Sequence, residues 1–230
     1  EVVGLSRSRD GLDVTDETLV RDKLGSIDSQ FELVFVATGA LEINGQGPEK
    51  TIRAVTPDAL VDQFRLNAVG PLLVLKHALS LMPKDRRAVF AALSARVGSI
   101  GDNRLGGWHS YRASKAALNQ LIRGASVELQ RTHPKAIAVA LHPGTVATNF
   151  TEAYARSHDR VPPTKAAADL VSVIEGLDPE HSGGFLTTRA TRFRGELRRL
   201  RRREGLDGLG LLGLIGRFLP WPAVEWLSDV

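Results

Sequence analysis

Cysteine is absent from the 230 residues. That excludes a disulfide framework, a thiol nucleophile and a Cys-ligated metal centre. No uninterrupted apolar run reaches about 18 residues, so no membrane-spanning helix is expected. A secretory leader is not visible, and the expected location is cytoplasmic. The 22 Gly and 11 Pro follow no G-x-y period, which excludes a collagen-like chain. There is no internal repeat of about 20–50 residues. His109 and His142 have no second His or acid at ligand spacing, so no metal site is expected.

A charge excess is also missing from most of the chain. Nine arginines and five acids fall in residues 186–230, so the whole net charge of +4 sits there. Residues 1–185 balance. The basic pI of about 9.7 therefore says little about the main domain, and no nucleic-acid partner is expected of it. An Arg-rich tail could serve an anionic or membrane surface; heparin retention lost with residues 186–230 would mark that function.

The composition, 43% hydrophobic and 24% charged, is that of a globular chain with enough length for a sizeable core. Residues 1–6 (EVVGLS), 31–38 (FELVFVAT), 88–93 (AVFAAL) and 136–141 (AIAVAL) read as strands, with a last one over 183–188. Helices are expected after Thr15 to about residue 24, over 57–81 with a bend at Gly70-Pro71, over 108–130 and over 164–177. Strands that are apolar throughout and separated by helices predict a parallel sheet covered on both faces, a doubly wound α/β fold.

Tyr111 and Lys115 stand four apart on the helix expected over 108–130, one turn apart on one face. A free phenol ionises near pH 10, and a neighbouring ammonium favours its anion. The pair is a sensible proton-transfer unit for interconverting a carbonyl and an alcohol. Ser94 lies at a strand's C-terminal end, where open α/β sheets bind ligands. His142-Pro-Gly-Thr-Val-Ala-Thr148 follows another such end. Asn67 is a polar amide in the middle of a helix, a place that disfavours it unless it is used.

The stretches LSRS, LDVTDE, FRLNAVGP, LSARVGSIGDNRLGGWHSYRASKAALN and HPGTVATNF occur in this order. Together they resemble the short-chain dehydrogenase/reductase family, in particular its C-factor-like and sniffer-like carbonyl reductases, over roughly residues 1–185. The resemblance implies a Rossmann-like domain and hydride transfer between a nicotinamide and a small carbonyl or alcohol. It makes Tyr111 the acid/base and Lys115 its partner and a ribose ligand. Asn67 holds a relay water, and Ser94 orients the carbonyl. Ser99 competes with Ser94 for that role, because the family's usual second Ser is here Ala95. Asp13 and Val14 flank the adenine, and Ala37, Thr38 and Gly39 stand beside the adenine ribose. Pro143, Gly144, Thr145 and Thr148 line the nicotinamide side. Arg7 stands where an acid would favour NAD(H), so NADP(H) is preferred and NAD(H) is second. Pocket walls are expected from residues 95–107 and 149–163. A homo-oligomer through the long helices is implied as well.

The family's opening strand and its T-G-x-x-x-G-x-G loop do not occur here, and the chain begins at what resembles the second strand. Its single Met is Met82, so a preceding segment is expected. The same gap supports an alternative reading, a non-catalytic scaffold derived from the family. Residues 186–230 depart from the family's ending and read as an atypical tail. A frameshift near Leu186 is a hypothesis that accounts for this. Codons compatible with residues 187–195, read one base earlier, give Asp-Tyr-Ala-Gly-His-Glu-Ile-Pro-Trp, which resembles the family's ending. An intact frame on resequencing would refute it.

Overall fold

The two most apolar strands form the middle of the sheet. In the computed structural model, which describes residues 2–148, 151, 154 and 160–188, β2 (Ala88–Leu93) and β3 (Ala136–His142) are buried almost throughout. β1 (Leu33–Val36) flanks β2, and β4 (Phe185–Thr187) flanks β3. All three pairings are parallel, with Val36 opposite Ala92, Leu93 opposite Leu141 and His142 opposite Thr187. Parallel order puts every C-terminal strand end on one rim, where such sheets take their ligands.

Helices cover both faces. On one side α2 (Glu17–Gly25), α4 (Gly70–Ala78) and α5 (His109–Thr132) bury Val20, Leu75 and Ile122 against Phe90 and Ala138. On the other, α6 (Pro163–Glu175) packs Leu170 and Ile174 against Val89 and Val139. Arg87 donates to the carbonyls of Ile174 at 2.6 Å and Leu177 at 3.2 Å. It so satisfies acceptors that the helix end leaves open. The expected doubly wound layout is present.

Helix starts follow capping chemistry. Asp16, one residue after the expected Thr15, accepts from the amides of Thr18 and Leu19 at 2.8 and 3.2 Å. Thr15 itself is held by Asp13, which takes its amide and hydroxyl at 2.9 and 2.7 Å. Thr56 caps α3 (Pro57–Phe64).

The helix expected over 57–81 is continuous in path but not in winding. Between α3 and α4 lies a π-type turn, Arg65–Val69. Pro71 has no N–H to return to the carbonyl of Asn67, and wider winding accommodates that defect. Gly70 then passes Val14 so closely that an added Cβ would lie 2.7 Å from its Cγ2.

Residues 2–6 form no strand, against expectation; a four-residue helix α1 (Arg7–Asp10) follows them. A strand is stable only beside a partner. Among the described residues β1 has β2 on one side and no strand on the other, and Val2 is 95% exposed. The atypical tail, apart from residues 186–188 at β4, lies outside the described residues, and so do most of residues 149–159. No helix among the described residues is long and apolar enough to cross a membrane.

Candidate active site

α5 presents Tyr111, Lys115, Leu118, Ile122, Ser126 and Leu129 inward, a run of three- and four-residue steps. The apolar members anchor the helix in the core. Tyr111 and Lys115 ride on the same stripe at the rim and are 6% and 3% exposed. The 3-10 turn Arg96–Gly98 after β2 lies directly on this helix: a Cβ on Gly98 would approach the Lys115 carbonyl carbon to 2.8 Å. Lys115 Nζ donates to the carbonyl of Leu93, the last residue of β2, at 2.9 Å. The same nitrogen stands 5.9 Å from the centre of the Tyr111 ring.

Burial dominates the ionisation of both groups. It pushes the Tyr111 phenol well above its usual range and pulls the Lys115 ammonium down to about 8. An ammonium-depressed phenol was the expectation from sequence; desolvation outweighs that effect here. The phenol is therefore fully protonated at neutral pH, the form that donates.

Asn67 is wholly buried in the π-type turn. Its Oδ1 accepts from Ala40 N at 3.0 Å, and its Nδ2 donates to Ala40 O at 2.9 Å and to Gln63 Oε1 at 2.5 Å. Gln63 in turn donates to Leu41 O at 3.0 Å. The network ties the π-type turn to the loop leaving β1. That loop begins with Ala37, Thr38 and Gly39. A Cβ on Gly39 would lie 2.8 Å from Asn67 Oδ1 and 3.2 Å from Lys115 Nζ. So the loop, Asn67 and Lys115 converge at one place. The Thr38 hydroxyl is buried there without a hydrogen-bond partner.

The two candidate serines differ. Ser94 Oγ donates to Asn119 Oδ1 at 2.7 Å. Ser99 is 4% exposed and its hydroxyl has no partner. After β3, Pro143, Gly144, Thr145 and Thr148 form a loop in which Gly144 takes φ +83. Residue 161 secures it: Val161 N donates to Thr145 O at 2.8 Å, and Ala147 N donates to Val161 O at 2.9 Å. Burial draws His142 down to about 4, helped by Arg96, so it is a neutral framework group at pH 7. Arg7 is exposed at the start of α1. Asp13 is held below the usual carboxylate range, first by the hydroxyl and amide of Thr15 and then, against partial burial, by Arg7. Val14 is 4% exposed, its side chain in the core.

Comparison with known families matches residues 11–159 to the short chain dehydrogenase family. The chain belongs to the short-chain dehydrogenase family, a family of oxidoreductases. It is 32% identical over 178 residues to 1-hydroxy-2-glutathionyl-2-methyl-3-butene dehydrogenase of Rhodococcus sp. (strain AD45), covering 76% of this chain and 74% of the relative. It is 36% identical over 129 residues to the C-signal protein of Myxococcus xanthus, covering 56% and 74%. Among solved structures, the NADPH-bound carbonyl reductase from chicken fatty liver superposes with a TM-score of 0.69 at 28% identity, covering 79% of this chain and 75% of the other.

Several residues around this short-chain dehydrogenase site escaped the sequence reading. Gln63 is one helical turn before Asn67, and that spacing could have revealed it. Asn119 is likewise one turn after Lys115. Trp108 sits edge-on to Tyr111 at 6.3 Å and to Tyr154 at 5.7 Å between ring centres. It has φ +53, an uncommon backbone state for a bulky residue. Glu49 gave no local signal at all, being 61 residues from the group it holds.

Proposed function

We propose that this short-chain dehydrogenase is an NADP(H)-dependent carbonyl reductase acting on a small carbonyl or alcohol, with Tyr111 as its acid/base. The carrying observation is the buried Tyr111–Lys115 pair at the C-terminal rim, converging with Asn67 on the loop from β1. The partnerless hydroxyl of Thr38 and the glycine cradle at Gly39 suit a polar ligand laid along that rim.

In this reading the nicotinamide nucleotide, when bound, supplies or accepts the hydride. The chain holds it and manages one proton. Ala37, Thr38, Gly39, Pro143, Gly144, Thr145 and Thr148 would line its path, with Asp13 and Val14 to hold the adenine and Lys115 the ribose. Reduction at the carbonyl carbon would leave its oxygen as an alkoxide, a stronger base than a phenolate. The Tyr111 hydroxyl would give it a proton, which completes the alcohol and leaves the phenol to be reprotonated. Lys115 and the water relay at Asn67 return a proton to Tyr111. Ser94 or Ser99 orients the carbonyl. The second reading, a non-catalytic scaffold, is favoured by the engagement of Ser94 with Asn119.

Calorimetric titration of the 230-residue chain with NADPH, and with NADH as control, separates the two. Micromolar binding that favours NADPH, followed by carbonyl-dependent NADPH oxidation, supports the enzyme; a folded sample that binds neither supports the scaffold. Arg7 sets the nucleotide preference in this proposal. Arg7→Asp should weaken NADPH by about 10- to 100-fold, the worth of a charged hydrogen bond, and leave NADH within a few-fold. Equal loss for both nucleotides would remove Arg7 from the 2′-phosphate.

A further inference from the structure

Trp108 precedes α5 in a left-handed conformation and caps it with no side-chain bond. The first amides of a helix need acceptors from somewhere. Here they come from the loop after β1. Glu49 Oε2 accepts from Ser110 N at 3.2 Å, and Glu49 Oε1 accepts from the Ser110 hydroxyl. The backbone carbonyl of Glu49 accepts from Trp108 N at 2.5 Å. Gly107, at φ +63, lets the chain pass close by: an added Cβ would touch the carbonyl oxygens of Glu49 and Lys50 at 3.4 Å. On its far side the junction is closed by Arg112 Nε, which donates to Gly107 O at 2.9 Å.

Glu49 is 7% exposed, an unusual place for a carboxylate without a purpose. Burial opposes its charge. The Ser110 hydroxyl, the Glu49 and Ser110 amides and His109 outweigh that and hold the carboxyl below its usual range. The positive end of the helix dipole acts in the same direction. A buried anion is thus fixed against the residue immediately before Tyr111. Glu49, Gln63, Ser110 and Tyr111 also line one small cavity.

We infer that Glu49 is a positioning residue, which clamps the first turn of α5 and so fixes the Tyr111 hydroxyl relative to the carbonyl it protonates. The catalytic half of this rests on the reductase reading above; the clamp itself does not. A misplacement of about 1 Å at a reacting group can slow the chemistry by about 10²-fold.

The test uses the full 230-residue chain with Glu49→Ala, Glu49→Gln and Ser110→Ala. Hydrogen exchange should quicken by about 10-fold or more at amides 110–112 in Glu49→Ala, with amides 118–129 unchanged. Glu49→Gln keeps an acceptor oxygen and should recover most of that protection. Ser110→Ala loses one bond and should fall between them. In carbonyl reduction, Glu49→Ala should lower kcat by about 10-fold or more while the KM for NADPH stays within about two-fold.

Unchanged exchange at 110–112 in Glu49→Ala overturns the clamp, as does a loss of protection along the whole helix. Faster local exchange with an unaltered kcat overturns the positioning role. A wild-type chain without reductase activity refutes the reductase reading and the positioning role that rests on it, while the exchange data still decide the clamp.

Discussion

Tyr111→Phe is expected to lower kcat for carbonyl reduction by roughly 10²- to 10⁴-fold, the range supplied by a positioned general acid. The change removes one oxygen and keeps the ring. The edge-on packing against Trp108 therefore persists, and the helix stripe through Leu118 and Ile122 is untouched. NADPH affinity should stay within a few-fold, because Tyr111 acts mainly on the proton. Burial keeps the wild-type phenol protonated throughout the neutral range, so the loss should be constant from pH 6 to pH 7, below the range in which Lys115 titrates. Single-turnover rates with saturating NADPH provide the measurement. A kcat within ten-fold of wild type would assign the proton to another group.

The second large effect belongs to Lys115. Its ammonium titrates near 8 in the folded chain, against 10.5 for a free lysine. Reduction should therefore be flat below that pH and fall as pH rises through about 8, because the positive charge that steadies the departing phenolate is lost. Lys115→Met should cost roughly 10²-fold or more in kcat and remove the inflection. Stability should move the other way. The unfolded chain binds this proton more tightly than the folded chain does, so wild-type stability rises with pH between about 8 and 10.5. Below 8 the full penalty applies, about 3 kcal/mol. Methionine occupies similar space without charge. It forfeits the bond to Leu93 O, which leaves an acceptor worth about 1–3 kcal/mol unsatisfied. The variant should be at least as stable as wild type at pH 7, and its unfolding should lose the alkaline rise. A midpoint well below wild type in urea, or an activity profile still bent near 8, would contradict this account.

What could be read beforehand depended on how local its cause was. AVFAAL and AIAVAL are apolar at every position, and only a strand buried on both faces suits them. The Tyr111–Lys115 spacing translated directly into a shared helix face. EVVGLS is apolar only over residues 2–5, and strand formation depends besides on a neighbour that sequence does not supply. The bend at Gly70-Pro71 was foreseeable from the missing N–H, but its expression as a π-type turn that holds Asn67 was not. The pKa of Tyr111 was misjudged because the charge of Lys115 is visible in sequence and the depth of burial is not. Glu49 illustrates the limit: an acid in a loop takes meaning only when the fold brings a distant helix to it.

In the proposed reaction the proton chemistry sits on a 24-residue helix rooted in the core, whereas residues 100–105 carry Ile100 and Leu105 at 79% and 89% exposure. These two parts answer to different pressures. In that reaction, drift within the outer segment, residues 100–105, would alter which molecules are admitted without shifting the hydroxyl that meets them. Change on the inner helix face would alter it for every molecule admitted. Substrate range and chemical step are in that sense separately heritable. A search for new substrates is best begun by diversifying the outer segment while the inner stripe is held fixed.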